Sequence, residues 1–261
     1  MEQVTVQDIA KAIEAFAPLA VQEDWDNSGL AVGSPGDPVH GVLLALDCTP
    51  ELVDEAVGKG MDMIVTHHPL IFKGLKKISP DDPVGLAVMK AVRAGVSIYA
   101  AHTNADKVRE GVSWAMASRL SLTGVRVLDG QDGVGLGVVG QLPQPMSAQE
   151  VIRFVKERFS LQALRVSRPV STAVETVALC GGSGGSLIGA ARAAGAQLYV
   201  SADISYHNFF TPDGFMVMDI GHFESEVDIV DILFSLLRKK FPNFAVRISD
   251  NLHSSNPIFY Y

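Results

Sequence analysis

The sequence predicts an α/β protein of two α/β/α-type domains with mixed or mainly parallel sheets, and three observations lead there. Short apolar runs bounded by turn residues alternate with segments of helical periodicity. The run Gly41-Val-Leu-Leu-Ala-Leu-Asp47, a helix opened by Thr49 and Pro50, and the run from Asp62 to Thr66 make a strand, helix, strand unit. The same loose order returns in the second half, and 261 residues suffice for two such domains.

Thr5 and Asp8 resemble a capping box, and Ile9, Ile13 and Phe16 follow at helical spacing as far as Pro18, so the first element is a helix. EDWDNSGLAVG, residues 23–33, reads as a loop returning toward the sheet. Residues 73–82 form a polar loop, Pro83 opens a helix stopped by Gly95, residues 96–100 are the next strand, and a helix over 108–120 follows. The Gly- and Asp-rich stretch 129–133 marks a domain crossing. That places residues 1–129 with 216–261 in a first domain carrying most candidate ligands, and 130–215 in a second.

Within the second domain a strand over 134–142 precedes a helix that Ser147 and Glu150 open as a capping box and that runs through 159. Residues 163–166 and 174–179 are strand-like, CGGSGGS turns into a helix over 187–194, and 196–200 is a strand. A strand over 215–220 leads through Gly221 and His222 into a long amphipathic helix over 224–241, and 244–248 closes the chain as a strand.

With 29 acidic and 21 basic residues the formal net charge is −8, which disfavours non-specific binding to nucleic acid or anionic membrane. No apolar run reaches the roughly 18 residues of a membrane span, and the N-terminal stretch lacks the basic start of a signal peptide; the expected location is the cytoplasm. Cys48 and Cys180 each close an apolar run and read as small buried hydrophobes in a reducing compartment, not as a disulfide. Of two short basic clusters, Arg238-Lys239-Lys240 ends an amphipathic helix, where cations complement the helix dipole. Lys73, Lys76 and Lys77 flank a histidine loop and could meet an anionic substrate.

Chemistry concentrates where strands end. MIVTHHPLIF closes a buried strand on His67 and His68, and Pro69 biases His68 toward extended backbone, in which consecutive side chains point to opposite sides. Adjacent histidines held that way suit two neighbouring acceptors better than one. A second strand ends in AHTNAD, with His102 and Asp106, and a third leads to GHFESE, with His222 and Glu226. His222 and Glu226 are four apart at a helix start and share a face, as do His102 and Asp106 if their turn is helical. Strand carboxyl ends line the binding crevice of open α/β sheets, so a metal site in a crevice between the domains is expected.

The stretches WDNSGL (25–30), THHPLIF (66–72), AHTNAD (101–106), CGGSGG (180–185), SYH (205–207) and GHFESE (221–226) resemble, in order and over nearly the whole chain, the signatures of the NGG-interacting-factor-like dinuclear metal proteins. Members often go by the name GTP cyclohydrolase 1 type 2. The resemblance implies two divalent metal ions held by His67, His68, Asp106, His222 and Glu226. Glu224 departs from the commoner residues between the histidine and the glutamate, and the four-residue spacing favours Glu226 as the ligand. A toroidal hexamer, a trimer of dimers with metal sites facing an inner cavity, is implied too. Leu120 to Gly133 leaves no room for the inserted domain of longer members, so this is the short form.

Imidazoles and carboxylates without thiolate suit Zn, Fe, Mn, Ni or Co. Paired cations lower the pKa of a shared water and polarise an electrophile, so the expected activity is metal-dependent hydrolysis of a nucleotide-like or phosphorylated small molecule. GTP ring opening follows only from the family name. His102 and His207 match family positions near the metals and are candidates for orientation or proton transfer. The alternative is a non-enzymatic, ring-forming metal-binding or regulatory scaffold, because a ligand set does not by itself tell an open coordination sphere from a closed one. CGGSGGS, without the Lys of a P-loop, is either an anion-receiving loop or a tight turn for close backbone packing. Asp26 and Asn27 are read as turn caps ahead of a role in orienting other groups.

Overall fold

The computed structural model describes residues 3–261 and is a mixed α/β protein built on two mixed sheets. In chain order its elements begin with helix α1 (Val6–Phe16), strands β1 (Gly29–Val32) and β2 (Gly41–Ala45), α2 (Pro50–Gly58), β3 (Met63–Thr66), α3 (Pro83–Ala94), β4 (Ser97–Ala100), the short α4 (Thr103–Asp106) and α5 (Val112–Arg119). They continue with β5 (Thr123–Gln131), β6 (Val134–Met146), α6 (Ala148–Arg158), β7 (Arg165–Val166), β8 (Val174–Ser183), α7 (Ile188–Ala193), β9 (Leu198–Ala202), β10 (Met216–Asp219), α8 (His222–Glu226), α9 (Asp228–Lys240) and β11 (Ala245–Ile248).

Two compact units result, Met1–Ala105 with Ile229–Pro257 and Asp106–Asp228 with Ile258–Tyr261. These bounds differ from the crossings expected at 129 and 216, and strand pairing is the reason. Asp129 to Gly133 is no crossing: Asp132 and Gly133 both take left-handed backbone and turn the β5–β6 hairpin, with Gln131 opposite Val134. Met216 of β10 pairs with Leu198 of β9, which keeps the strand expected to open the return segment inside the second sheet.

In the first unit the strand order is β1-β4-β3-β2-β11, with β1 antiparallel and the other pairs parallel. One sheet face packs Leu43, Ile64 and Ile98 against Val53 and Ala56 of α2 and Ala87 and Ala91 of α3. Residues of the opposite face, Leu44, Met63, Val65 and Tyr99, are buried as well, and the Tyr99 hydroxyl donates to Glu14 of α1 at 3.1 Å. Burial on both faces is what parallel strands require, and it explains their unbroken apolar runs. Because β2, β3 and β4 run the same way, their carboxyl ends share one edge.

Local signals hold where their physics is local. Thr5 Oγ1 accepts from the Asp8 amide while the Asp8 carboxylate accepts from the Thr5 amide, a complete capping box. Thr5→Ala is expected to lower stability by about 1 kcal/mol, read from urea unfolding at neutral pH. Ser147 and Glu150 make the same arrangement on α6. The expected helix over 108–120 shortens to α5, because Glu110 takes left-handed backbone ahead of Gly111.

In the second unit the order is β5-β6-β8-β9-β10-β7, and only the β8-β9-β10 core is parallel. Val177, Leu179, Leu198 and Val200 pack against Met116 and Leu120 on one face with Val151 and Val155 of α6. Ala178, Tyr199 and Val217 pack with Ala191 of α7 on the other. Cys48 and Cys180 are free thiols, Cys180 being buried. Among the described residues no helix is long and apolar enough to cross a membrane.

Candidate metal centre

The first unit gathers three imidazoles at the shared edge of its sheet. His67 and His68 follow β3, and His102 lies just past β4. Their ring centroids are 5.1, 5.3 and 5.6 Å apart, and each residue offers a ligand atom within 4.8 Å of the others. The adjacent pair diverges toward the two flanking strands. His67 Nδ1 donates to the carbonyl of Ala101, past β4, at 2.7 Å, whereas His68 Nδ1 donates to Asp47, past β2, at 2.7 Å. His102 Nδ1 donates to Asp26 at 2.7 Å. An oxygen acceptor at Nδ1 keeps the proton there and makes Nε2 the lone-pair nitrogen of each ring.

Asp26 is the most elaborately held of these acceptors. Its carboxylate, shielded from solvent, also accepts from the Thr103 amide at 3.0 Å and hydroxyl at 2.5 Å, the Ser28 hydroxyl at 2.9 Å and the Asn27 amide at 2.7 Å. Burial alone would raise its pKa. Hydrogen bonds from His102 and Thr103 outweigh that and hold the carboxyl well below the usual range. The turn-cap reading of Asp26 is therefore too small: it caps the start of α4 and also orients His102. Asn27 donates across to the Ile71 carbonyl at 2.6 Å.

In the second unit His222 and Glu226 occupy one face of α8, with Nε2 and Oε2 3.0 Å apart. His222 Nδ1 donates to Asp203 at 2.7 Å, and Asp203, just past β9, holds left-handed backbone to reach it. Glu226 is buried. Asp106 ends α4, a helical turn that begins one residue after His102. Asp106 and Glu226 each offer a carboxylate oxygen within 4.8 Å of the other, and burial, then their charges, push the Cys180 thiol up to about 12.

CGGSGG is resolved in favour of close packing. The expected strand over 174–179 runs on through Gly181 and Gly182 to Ser183. The Gly182 amide donates to Ser225 at 2.9 Å, the Gly184 amide to Ser201 at 3.0 Å, and the Tyr199 hydroxyl donates to the Gly184 carbonyl at 2.7 Å. A Cβ on Gly182, whose φ is +60°, would stand 2.1 Å from Glu226 Oε1. The Gly181, Gly182 and Gly184 amides are thus spent internally, and the missing side chain at Gly182 leaves space for a carboxylate.

His207 is a member of none of these groups. It is exposed on a 3-10 turn, Tyr206–Phe209, with its ring against Tyr206 at 5.4 Å and Phe210 at 6.4 Å, and it joins no group of candidate ligand atoms among the described residues. Sequence reasoning missed the anchoring roles of Asp47 and Asp203. A signal was available, since both lie just past strand ends, as the histidines do.

A family model described as Duf34/NIF3 (NGG1p interacting factor 3) matches residues 4–257. The chain belongs to the NIF3 family. Among NIF3-like relatives, a Clostridium acetobutylicum protein named GTP cyclohydrolase 1 type 2 homolog is 34% identical over 256 residues, covering 94% of this chain and 96% of that protein. A Streptomyces coelicolor protein of the same name is 38% identical over 209 residues, covering 77% and 73%. The fold matches the crystal structure of a Bacillus cereus protein related to NIF3 with a TM-score of 0.92 at 24% identity, over 100% of both chains.

Proposed function

We propose that this NIF3-family chain is a metal-dependent hydrolase, in which His67, His68, Asp106, His222 and Glu226 hold two divalent ions and the substrate is a nucleotide-like or phosphorylated small molecule. The observation that carries the reading is the shared anchoring of the rings at Nδ1. His67, His68, His102 and His222 each set Nδ1 2.7 Å from an oxygen acceptor. A histidine that only fills a polar loop needs no such anchor. One that ligates a cation through Nε2 does, because the anchor fixes both ring orientation and basicity.

The donor chemistry fits Zn, Fe, Mn, Ni or Co, being imidazole and carboxylate without thiolate. Such ions, when bound, supply Lewis-acid polarisation and lower the pKa of water. The chain's own residues do the positioning: Asp26, Asp47, Asp203 and the Ala101 carbonyl orient rings, and Gly182 gives Glu226 its space. His102, held by Asp26, is the better placed of the two proton-transfer candidates, and His207 is the second. Partial exposure of His68, His102 and His222 leaves their donors within reach of a small molecule, which favours an enzyme over a closed scaffold site. GTP is the first substrate to try, because relatives carry the cyclohydrolase name. The toroidal hexamer implied by the family resemblance belongs to the same proposal, and sedimentation measures it.

The test is elemental analysis of protein purified without added metal, coupled to a turnover screen over GTP, other nucleotides and simple phosphoesters. Two ions per chain and turnover are expected, with His67→Ala losing both. Turnover that survives loss of His67 would sink the mechanism, and a stoichiometry well below two after supplementation would sink the dinuclear centre.

A further inference from the structure

We propose that Trp25 and Phe72 form a stacking platform, beside His102, for the planar base of an anionic nucleotide whose phosphate is met by Lys73, Lys76 and Lys77. The proposal rests on the reading above for the class of ligand, and it assigns the residues that would recognise one.

Large aromatic side chains are normally withdrawn from water, yet Trp25 is 58% and Phe72 47% exposed. They come from different loops of the first unit and meet with ring centroids 5.7 Å apart at 55°. Each stands 6.2 Å from the His102 ring in a near-perpendicular arrangement, so the pair flanks the imidazole group. Neither ring is left to wander. The Asn27 side chain ties the Trp25 loop to the Ile71 carbonyl, one residue before Phe72, and the Asp26 hydrogen bonds fix the residue next to Trp25. Rings held in place without being buried are pre-organised for a ligand that covers them.

Charge selects the ligand. The chain as a whole is acidic at −8, but three lysines, all exposed, fall within the stretch directly after Phe72. Aromatic faces take the π-face of any base, and lysines act as point charges for phosphate. Together they fit a molecule with a flat heterocycle at one end and a phosphate at the other. The competing occupant is a second copy of this chain lying over the two rings.

The chain has two tryptophans, Trp25 and Trp114, so the difference in emission between wild type and Trp25→Phe reports Trp25 alone. With excitation at the red edge of tryptophan absorption, guanosine 5′-monophosphate is expected to quench that difference saturably, and ribose 5-phosphate to leave it unchanged. Equilibrium dialysis should show Trp25→Ala and Phe72→Ala each weakening binding about tenfold or more, the scale of one lost ring stack. Changing Lys73, Lys76 and Lys77 together to Gln should weaken the monophosphate and spare guanosine. The proposal is overturned if no common nucleoside monophosphate quenches Trp25, if ribose 5-phosphate binds as tightly, if the lysine variant loses guanosine equally, or if the difference emission follows protein concentration alone. Binding is read here without turnover. Quenching without hydrolysis of any nucleotide would remove the hydrolase reading and leave the platform, and hydrolysis with Trp25 unquenched would do the reverse.

Discussion

Asp26→Asn is expected to lower the stability of the protein by about 3 kcal/mol at neutral pH, the scale set by breaking a shielded, hydrogen-bonded charge. Every group around this carboxylate donates: His102 and the Asn27 amide to one oxygen, Thr103 twice and Ser28 to the other. An asparagine must turn an NH2 toward one of these sets, which leaves donors facing donors and costs more than the loss of one bond. The pH dependence follows from the lowered pKa. Because the folded carboxyl lies below its unfolded value of about 3.9, its stabilisation is present above that pH and fades as pH falls through the folded pKa. Urea unfolding of both proteins at pH 7 and pH 3 should therefore show a wide gap that narrows in acid. Equal gaps at the two pH values would refute the account of Asp26 as an ionised acceptor.

Gly182→Ala is expected to weaken zinc binding about 10- to 100-fold, as loss of a group supporting a ligand does, and to lower stability by only about 1–2 kcal/mol. The stability term is the cost of putting a Cβ on left-handed backbone at φ +60°. Most of the steric conflict falls on the Glu226 carboxylate, 2.1 Å from where that Cβ would lie, and a flexible side-chain end yields before backbone does. The variant should fold and bind metal poorly, as measured by competition with a chromogenic chelator. Gly195→Ala, at left-handed backbone of φ +79° with open space around it, is the matched control and should bind as wild type does. Wild-type affinity in Gly182→Ala would show that Glu226 is not a ligand whose placement matters.

Proximity in the chain separates what could be read early from what could not. The capping boxes at Thr5 and Ser147 and the helix starts at Pro50 and Pro83 depend on neighbours within one turn, and they stand as expected. Strand β1 was hidden inside an apparent loop because its partner is remote: Gly29 pairs with Ala100. The hairpin at Asp132-Gly133 is different, since its dipeptide is a local turn code whose composition equally suits a domain boundary.

The sequence by itself determined the α/β class, most elements and the identity of the candidate donors, because apolar periodicity and strand ends are written in consecutive residues. Only the tertiary structure decided how those donors are held. The anchors of His68, His222 and His102 lie 21, 19 and 76 residues away from them, and a hydrogen bond between remote groups leaves no periodic trace. Sheet order brings Asp47, Ala101, His67 and His68 to one edge, and packing against Glu226 makes Gly182 necessary. Local propensity specifies which residues reach the end of a strand, and long-range pairing specifies what each of them meets there.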